Sequence, residues 1–184
     1  RSYSVTGVQT CALPICVPFD VDVGVGDIII PRSEKRFFQP QLEGYDAPEI
    51  LTYSLESTIA EKFDAILQRF ELTGRMKDYY DIYFLSQCFN FIGQVLQKAI
   101  MQTLANRGTK LSQSSLAKLL ALSEDLDMQT KWRYFLRTIK NDNLPFSLII
   151  SSIEQFLHPI CTAIVDQREC TLIWHCSEKT WRQF

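Results

Sequence analysis

Apolar and polar positions follow two different periods along the chain, first that of a strand and then that of a helix. Over residues 17–25, VPFDVDVGV, apolar residues alternate with polar or small ones, which predicts a strand with one apolar face. The pair Gly26-Asp27 predicts a turn, and residues 28–30, III, predict a short second strand that ends at Pro31. Residues 32–48 are broken by prolines and a glycine and are predicted to be irregular.

The helical period begins at Leu55. Apolar residues recur every three or four positions from Leu55 to Phe70, which predicts a helix with a buried stripe and with Ser54 as its N-cap. Successive side chains of a helix are rotated by roughly 100°. Glu61 is therefore expected to point away from the buried stripe, and Lys62 is expected to lie at its edge.

A second helix is predicted over residues 76–85. Tyr79, Tyr80 and Tyr83 share one side of it, and Asp78 and Asp81 share the opposite side. Further helices are predicted over residues 94–106, closed by Gly108, and over residues 113–122, 129–139 and 145–157, the last of them ending before Pro159. No element is predicted in the tail, residues 166–184.

These patterns predict an α+β chain in which short strands at about residues 17–30 precede a mostly helical bundle. A two-stranded piece is not stable by itself. We therefore expect these strands to be the remnant of a larger sheet.

The first residues of the chain, RSYSVTGVQTCALPIC, have neither period. Residues 5–15, VTGVQTCALPI, are identical to the translation of a common sequencing-library adapter. Residues 1–15 are accordingly treated as adapter-derived and are excluded from fold reasoning, as an expression tag would be. We expect the genuine protein to have an upstream part that is missing from this sequence.

The composition is that of a soluble globular protein, with 46% hydrophobic and 12% aromatic residues. The formal net charge of -2 gives no support to nucleic-acid binding from bulk charge, although a local basic groove is compatible with it. The six cysteines match no disulfide framework, which favours a reducing cytoplasm. The longest apolar runs are short, so we expect no membrane partner.

A few acidic and basic positions could carry chemistry. Asp20 and Asp22 face the same side of the predicted strand, where two carboxylates can hold Mg²⁺ through hard oxygen ligands. Spacing alone favours other interpretations. The two aspartates could be the solvated face of an edge strand, Lys62 could be a surface lysine, and Asp78 could complement the dipole of its helix.

Three blocks together resemble the nucleotidyltransferases of the AbiEii/AbiGii toxin family. VPFDVDVGVGDIIIP resembles the family's strand motif, YSLESTIAEKFDAILQRF its Ala-Glu-Lys helix, and GRMKDYYDIYFL its Arg-x-Lys-Asp-x-x-Asp block. Each block alone is weak, but the last two in sequence are specific. The similarity covers nearly everything after residue 16.

The resemblance implies a polymerase-β-like active site that transfers NMP from an NTP to an RNA acceptor, such as tRNA in some members, with a cognate antitoxin protein as partner. Asp22 would be the metal-binding third carboxylate of a two-metal Mg²⁺ site, and Lys62 would bind the triphosphate. Asp78 would complete the catalytic site. Asp20 and Asp81 are weaker candidates.

One family block is not found in this sequence. Family members open with a Gly-rich turn and an Asp-x-Asp strand that holds the metals, and Asp20-Val21-Asp22 precedes the Gly-x-Gly-Asp of a later strand instead. We therefore expect a truncated and inactive toxin, with adapter at 1–15, core strands at 16–50 and a helical domain at 51–184 that completes the cleft. The alternative is a non-catalytic helical interaction module in which Asp22, Lys62 and Asp78 lie far apart.

Overall fold

The computed structural model describes residues 3–5, 19–21, 26, 28–72, 74–140 and 143–183. The strands are β1 Tyr3–Val5, β2 Phe19–Val21, β3 Glu34–Phe37, β4 Glu49–Thr52, β5 Phe91–Ile92, β6 Leu172–His175 and β7 Thr180–Gln183. The helices are α1 Leu55–Arg69, α2 Met76–Cys88, α3 Gly93–Arg107, α4 Gln113–Ala121, α5 Leu126–Thr138 and α6 Phe146–Val165, with 3₁₀ turns at Phe70–Leu72 and Leu122–Glu124. The predicted α+β class, with short strands and a helical bundle, is confirmed.

Helix α1 forms as its sequence predicts. Ser54 is its N-cap, and the Ser54 hydroxyl accepts a hydrogen bond of 3.1 Å from the backbone N–H of Ser57. Ile59, Phe63 and Ile66 are buried, because they recur on the face of α1 that packs against α2 and α3. The core of the bundle therefore lies between these helices and α6.

Helices α2 to α5 also lie close to their predicted positions. Helix α2 extends three residues further than expected, to Cys88, and α5 begins earlier, because the Asp125 carboxylate caps it by accepting a hydrogen bond of 2.9 Å from Met128 N–H. Gly108 closes α3 with a φ of 68°, a left-handed conformation that glycine adopts without strain.

The predicted end of α6 before Pro159 is wrong, because the helix continues through this proline to Val165. A proline inside a helix costs about 3 kcal/mol. Burial of Ile160 alone contributes roughly 1.5–3 kcal/mol, and Cys161 and Ala163 are buried beyond it. The apolar surface buried after Pro159 offsets the lost hydrogen bond. Pro145, predicted at the first helical position, is the N-cap.

The prediction for residues 17–30 is only partly right. Strand β2 pairs antiparallel with β1, which lies inside the segment excluded from fold reasoning. The expected strand at residues 28–30 does not form. The N–H of Ile30 donates to the Ser57 hydroxyl at 2.7 Å, and its carbonyl accepts from the hydroxyls of Ser54 and Ser57 at 2.7 and 3.1 Å. The two serines at the start of α1 thus make the backbone hydrogen bonds that a partner strand would make to Ile30.

Strands β3 and β4 form an antiparallel hairpin. Strand β3 lies where irregular chain is predicted, and β4 lies just after it, where no element is predicted. Its two strands lack alternation, and most of their side chains are exposed. The strands are joined by their backbone ladder, by an ion pair of 2.5 Å between Lys35 and Glu49, and by a hydrogen bond of 3.0 Å from the Thr52 hydroxyl to the Glu34 carbonyl. Cross-strand pairing of this kind leaves little signal in hydrophobic pattern.

The tail of the chain forms β6 and β7, which join β5 in a three-stranded sheet, β5-β6-β7, that the sequence does not predict. Trp174 and Trp181 face each other across β6 and β7 and pack on Phe156 of α6. Their indole N–H groups donate to the backbone carbonyls of Ser86 and Phe156, at 2.7 and 2.9 Å. The sheet thereby closes one end of the bundle.

Helix α6 is long and apolar enough to cross a membrane by length and composition. It is also the core helix of the bundle, and core helices of soluble proteins meet the same criteria. Within the part of the chain that the structure describes, Cys88, Cys161, Cys170 and Cys176 are free thiols.

Candidate functional site

Lys62 of α1 lies against two carboxylates of α2. Its Nζ is 2.6 Å from Oδ2 of Asp81 and 3.2 Å from Oδ1 of Asp78. The three side chains are between 14% and 20% exposed, so they are shielded from solvent without being fully buried. The helical period explains why both aspartates can reach one lysine. Lys62 lies at the edge of the buried stripe of α1, and Asp78 and Asp81, three positions apart, share one side of α2.

The charges of this cluster keep Lys62 protonated. Burial lowers the pKa of Lys62, but its hydrogen bonds and charge interactions with Asp81 and Asp78 outweigh burial, and the net pKa lies above the ordinary lysine value. Asp81 Oδ2 also accepts from Lys77 Nζ at 2.5 Å, but Lys77 is 70% exposed. The shielded cation of the cluster is therefore Lys62.

A cleft of about 450 Å³ opens beside this cluster. One face of α1 forms a wall, since Thr58, Lys62 and Ala65 follow each other at helical spacing. The other walls come from the residue that follows β4, from the start of α2 and from the end of α3. The lining residues are Tyr53, Thr58, Glu61, Lys62, Ala65, Arg75, Asp78 and Arg107.

Basic side chains outnumber acidic ones in this cleft. The lining contains three basic residues, Lys62, Arg75 and Arg107, and two acidic residues, Glu61 and Asp78. Lysine and arginine bind phosphate oxygens, lysine as a point charge and arginine through a planar fork of N–H donors. The lining therefore suits a polyanion better than a metal ion.

The cleft also has a buried acidic residue behind it that the sequence analysis did not single out. Asp64 of α1 is fully buried, and its Oδ2 is 3.6 Å from Nη1 of Arg107. The signal was available in the spacing. Asp64 lies four residues after Ala60 and three before Leu67, both of which are buried, and this places it on the core face of the helix.

Of the two predicted strand acids, Asp22 lies outside the described residues. The backbone of Asp20 lies in β2, paired with Ser4 of β1. Among the residues that the structure describes, no group of three or more histidine, cysteine, aspartate or glutamate side chains could hold a metal ion. Asp78 and Asp81 share the ammonium of Lys62 instead. Asp78 and Asp81 by themselves therefore do not form a Mg²⁺ site.

Comparison with known proteins identifies the family. A family model described as "Nucleotidyl transferase AbiEii toxin, Type IV TA system" matches residues 8–159. The chain belongs to this family. The resemblance inferred from its three motifs is confirmed. Membership in the AbiEii family supports nucleotidyltransferase chemistry and a place in a type IV toxin–antitoxin system, and it implies a nucleotide substrate and an antitoxin partner.

The AbiEii match begins at residue 8, inside the segment that we expect to be adapter-derived, and it includes all of α1 and α2. Nucleotidyltransferases of this kind generally use Mg²⁺. No curated protein and no solved structure matches this chain.

Proposed function

We propose that Lys62, Asp78 and Asp81 form the nucleotide-binding part of the active site of an AbiEii toxin. The intact toxin transfers NMP from an NTP to a hydroxyl of an RNA acceptor, such as a tRNA, in the cytoplasm, and a cognate antitoxin protein restrains it. In this proposal Lys62 pairs with triphosphate oxygens. Asp78 orients Lys62 or the acceptor hydroxyl, and Asp81 supports Lys62 from the next turn of α2.

The observation that supports this proposal is the protonated, shielded Lys62 at the edge of a cleft that Arg75 and Arg107 also line. A lysine held between two carboxylates has a fixed position and keeps its charge at neutral pH. Phosphate oxygens bind such a charge strongly when water is partly excluded. The helix-module alternative predicts that Lys62 and Asp78 lie far apart, and their contact at 3.2 Å disfavours it.

The chemistry assigns further roles to the acidic residues. The acceptor hydroxyl attacks the α-phosphorus, a new O–P bond forms, the bond between the α- and β-phosphates breaks, and pyrophosphate leaves. The proton of the hydroxyl goes to a carboxylate, and we propose Asp22 for this role, with Asp20 as a weaker candidate. Mg²⁺ bound by Asp22 and by the family's Asp-x-Asp carboxylates would neutralise the charge of the triphosphate.

We further propose that this chain binds the nucleotide without transferring it, because the Asp-x-Asp block of the family is not found in its sequence. Transfer is tested with α-labelled NTPs, Mg²⁺ and total RNA. We expect label on RNA with the product of the complete gene and none with the 184-residue chain. Labelled RNA from the 184-residue chain alone would refute the proposal that it lacks carboxylates needed for transfer.

Nucleotide binding is tested separately by calorimetric titration of ATP into the 184-residue chain. Lys62→Ala is expected to weaken binding about tenfold, the effect of losing one charge-assisted contact. The matched control is Lys98→Ala, which removes an exposed lysine of α3 outside the cleft. Equal affinities for the wild type and Lys62→Ala would refute the proposed role of Lys62.

A further inference from the structure

Behind the cleft, the carboxylate of Asp64 holds together the middle of α1 and the end of α3. Asp64 Oδ1 accepts a hydrogen bond of 2.5 Å from the Thr109 hydroxyl, and Oδ2 accepts one of 2.8 Å from the Gln68 amide. Gln68 also donates to Thr109 Oγ1 at 3.1 Å. The two donors and the nearby Arg107 guanidinium satisfy a carboxylate that no solvent reaches.

Two partners of Asp64, Arg107 and Thr109, lie at the end of α3 and just after it. Gly108, with its φ of 68°, turns the chain, and the N–H groups of Gly108 and Thr109 bond back to the carbonyls of Ala105 and Leu104. This is the hydrogen-bond pattern of a Schellman motif. It places Arg107 and Thr109, on either side of the turn, against the same helix α1.

Arg107 faces two ways. Its Nη1 is 3.6 Å from the buried Asp64 carboxylate, yet its side chain is 35% exposed and lines the cleft together with Lys62. A guanidinium carries five N–H donors in one plane. Contact with Asp64 through Nη1 is therefore compatible with contact to a phosphate group in the cleft.

We propose that Asp64 is a positioning residue that holds Arg107 in the cleft as a second polyphosphate-binding cation beside Lys62. This inference rests on the proposed function and adds two residues to it. Asp64 acts through Arg107, while Thr109 and Gln68 fix the carboxylate that orients the guanidinium. The ligand class is a nucleoside triphosphate, recognised here through its phosphate chain.

The substitution Asp64→Asn is the informative one. It preserves the shape of the side chain, and its amide oxygen can still accept from Thr109. The amide nitrogen then replaces Oδ2 and faces both the Arg107 guanidinium and the Gln68 amide, and two donors cannot bond to each other. The Gln68 amide can turn to offer its oxygen, whereas a guanidinium has no acceptor. Arg107 loses its anchor while the helix keeps most of its buried contacts.

The test is a calorimetric titration of inorganic tripolyphosphate into the full chain. Arg107→Gln is expected to weaken binding about tenfold, Arg107→Lys less than Arg107→Gln, and Asp64→Asn by a smaller factor than Arg107→Gln. The control Arg69→Gln makes the same charge change at an exposed residue of α1 outside the cleft and is expected to bind like the wild type. Far-UV circular dichroism and thermal melting show that each variant is folded.

The double variant separates positioning from general stability. If Asp64 acts through Arg107, then Asp64→Asn together with Arg107→Gln binds no more weakly than Arg107→Gln alone. Additive losses would refute the positioning role. Unchanged binding by Arg107→Gln, with a loss in Lys62→Ala, would refute this inference and leave the proposed function intact. Failure of the wild type to bind tripolyphosphate would overturn both.

Discussion

Replacing Lys62 with methionine tests whether Lys62, Asp78 and Asp81 form a shielded ion-pair cluster or whether Lys62 is a surface lysine with acidic neighbours. Methionine keeps an unbranched side chain of similar size and removes the ammonium group, with its charge and its hydrogen-bond donors. Asp78 and Asp81, each less than 20% exposed, then lose the ammonium that lies 3.2 and 2.6 Å from them. Asp81 keeps Lys77, but Asp78 loses the ion pair.

The expected magnitude lies between two known limits. Exposed ion pairs contribute about 0–1 kcal/mol, and removing one partner of a fully buried pair costs about 3–5 kcal/mol. For this shielded pair we expect Lys62→Met to lower the free energy of unfolding by about 1–3 kcal/mol. In a chain of this length each kcal/mol lowers the melting temperature by roughly 2–4 °C.

The pH dependence has a defined sign. Because the pKa of Lys62 is higher in the folded than in the unfolded chain, its stabilising contribution is fully present below the unfolded pKa. The contribution is lost as the pH rises through the folded pKa. The difference in unfolding free energy between wild type and Lys62→Met is therefore expected to be constant near neutral pH and to shrink in strongly alkaline buffer.

The assay is urea unfolding followed by circular dichroism across this pH range. Lys77→Met is the matched control, because Lys77 also contacts Asp81 but is 70% exposed. It is expected to cost about 0.3–0.5 kcal/mol, the value of an exposed helical pair. If Lys62→Met costs no more than Lys77→Met, Lys62 is an ordinary surface lysine and the argument fails.

Three further predictions concern the buried parts of the chain. Asp64→Ala leaves the partners of a buried carboxylate without an acceptor and is expected to lower the unfolding free energy by about 3–5 kcal/mol in urea titration. A loss smaller than that of an exposed ion pair would contradict the burial of the Asp64 carboxylate. Gly93→Ala places a Cβ 2.7 Å from the sulfur of Cys170 and is expected to cost about 1–3 kcal/mol in the same assay, whereas a neutral effect would show that the contact relaxes freely. Burial raises the pKa of Cys161 to about 12, so iodoacetamide at pH 8 is expected to modify the exposed Cys88 in the native chain and leave Cys161 unmodified by mass spectrometry; rapid labelling of both would refute this.

The helices and the Lys62 cluster could be predicted because their signals are local. The apolar stripe of α1 and the Ser54 cap depend on residues three or four positions apart. The same period places Asp78 and Asp81 on one side of α2. That these side chains meet Lys62 came from the family resemblance and not from spacing, since spacing alone does not say which helix faces which.

The hairpin and the terminal sheet could not be predicted because their partners are distant or their pattern is weak. Strand β5 pairs with β6 across about half the chain, and β3 and β4 bury almost nothing that a pattern could register. The predicted helix end before Pro159 was wrong because the cost of a proline inside the helix is offset by packing further along α6. Arg107 gave no signal either, because its place in the cleft depends on how α3 packs against α1, which spacing along α3 does not show.

The most direct test of the central claim is a crystal structure of this chain with ATP bound. The account predicts triphosphate oxygens within hydrogen-bonding distance of Lys62 Nζ and of the Arg107 guanidinium, with the carboxylate of Asp22 facing the same cleft. ATP bound elsewhere on the bundle, or an Asp22 side chain directed away from Lys62 and Asp78, would contradict it.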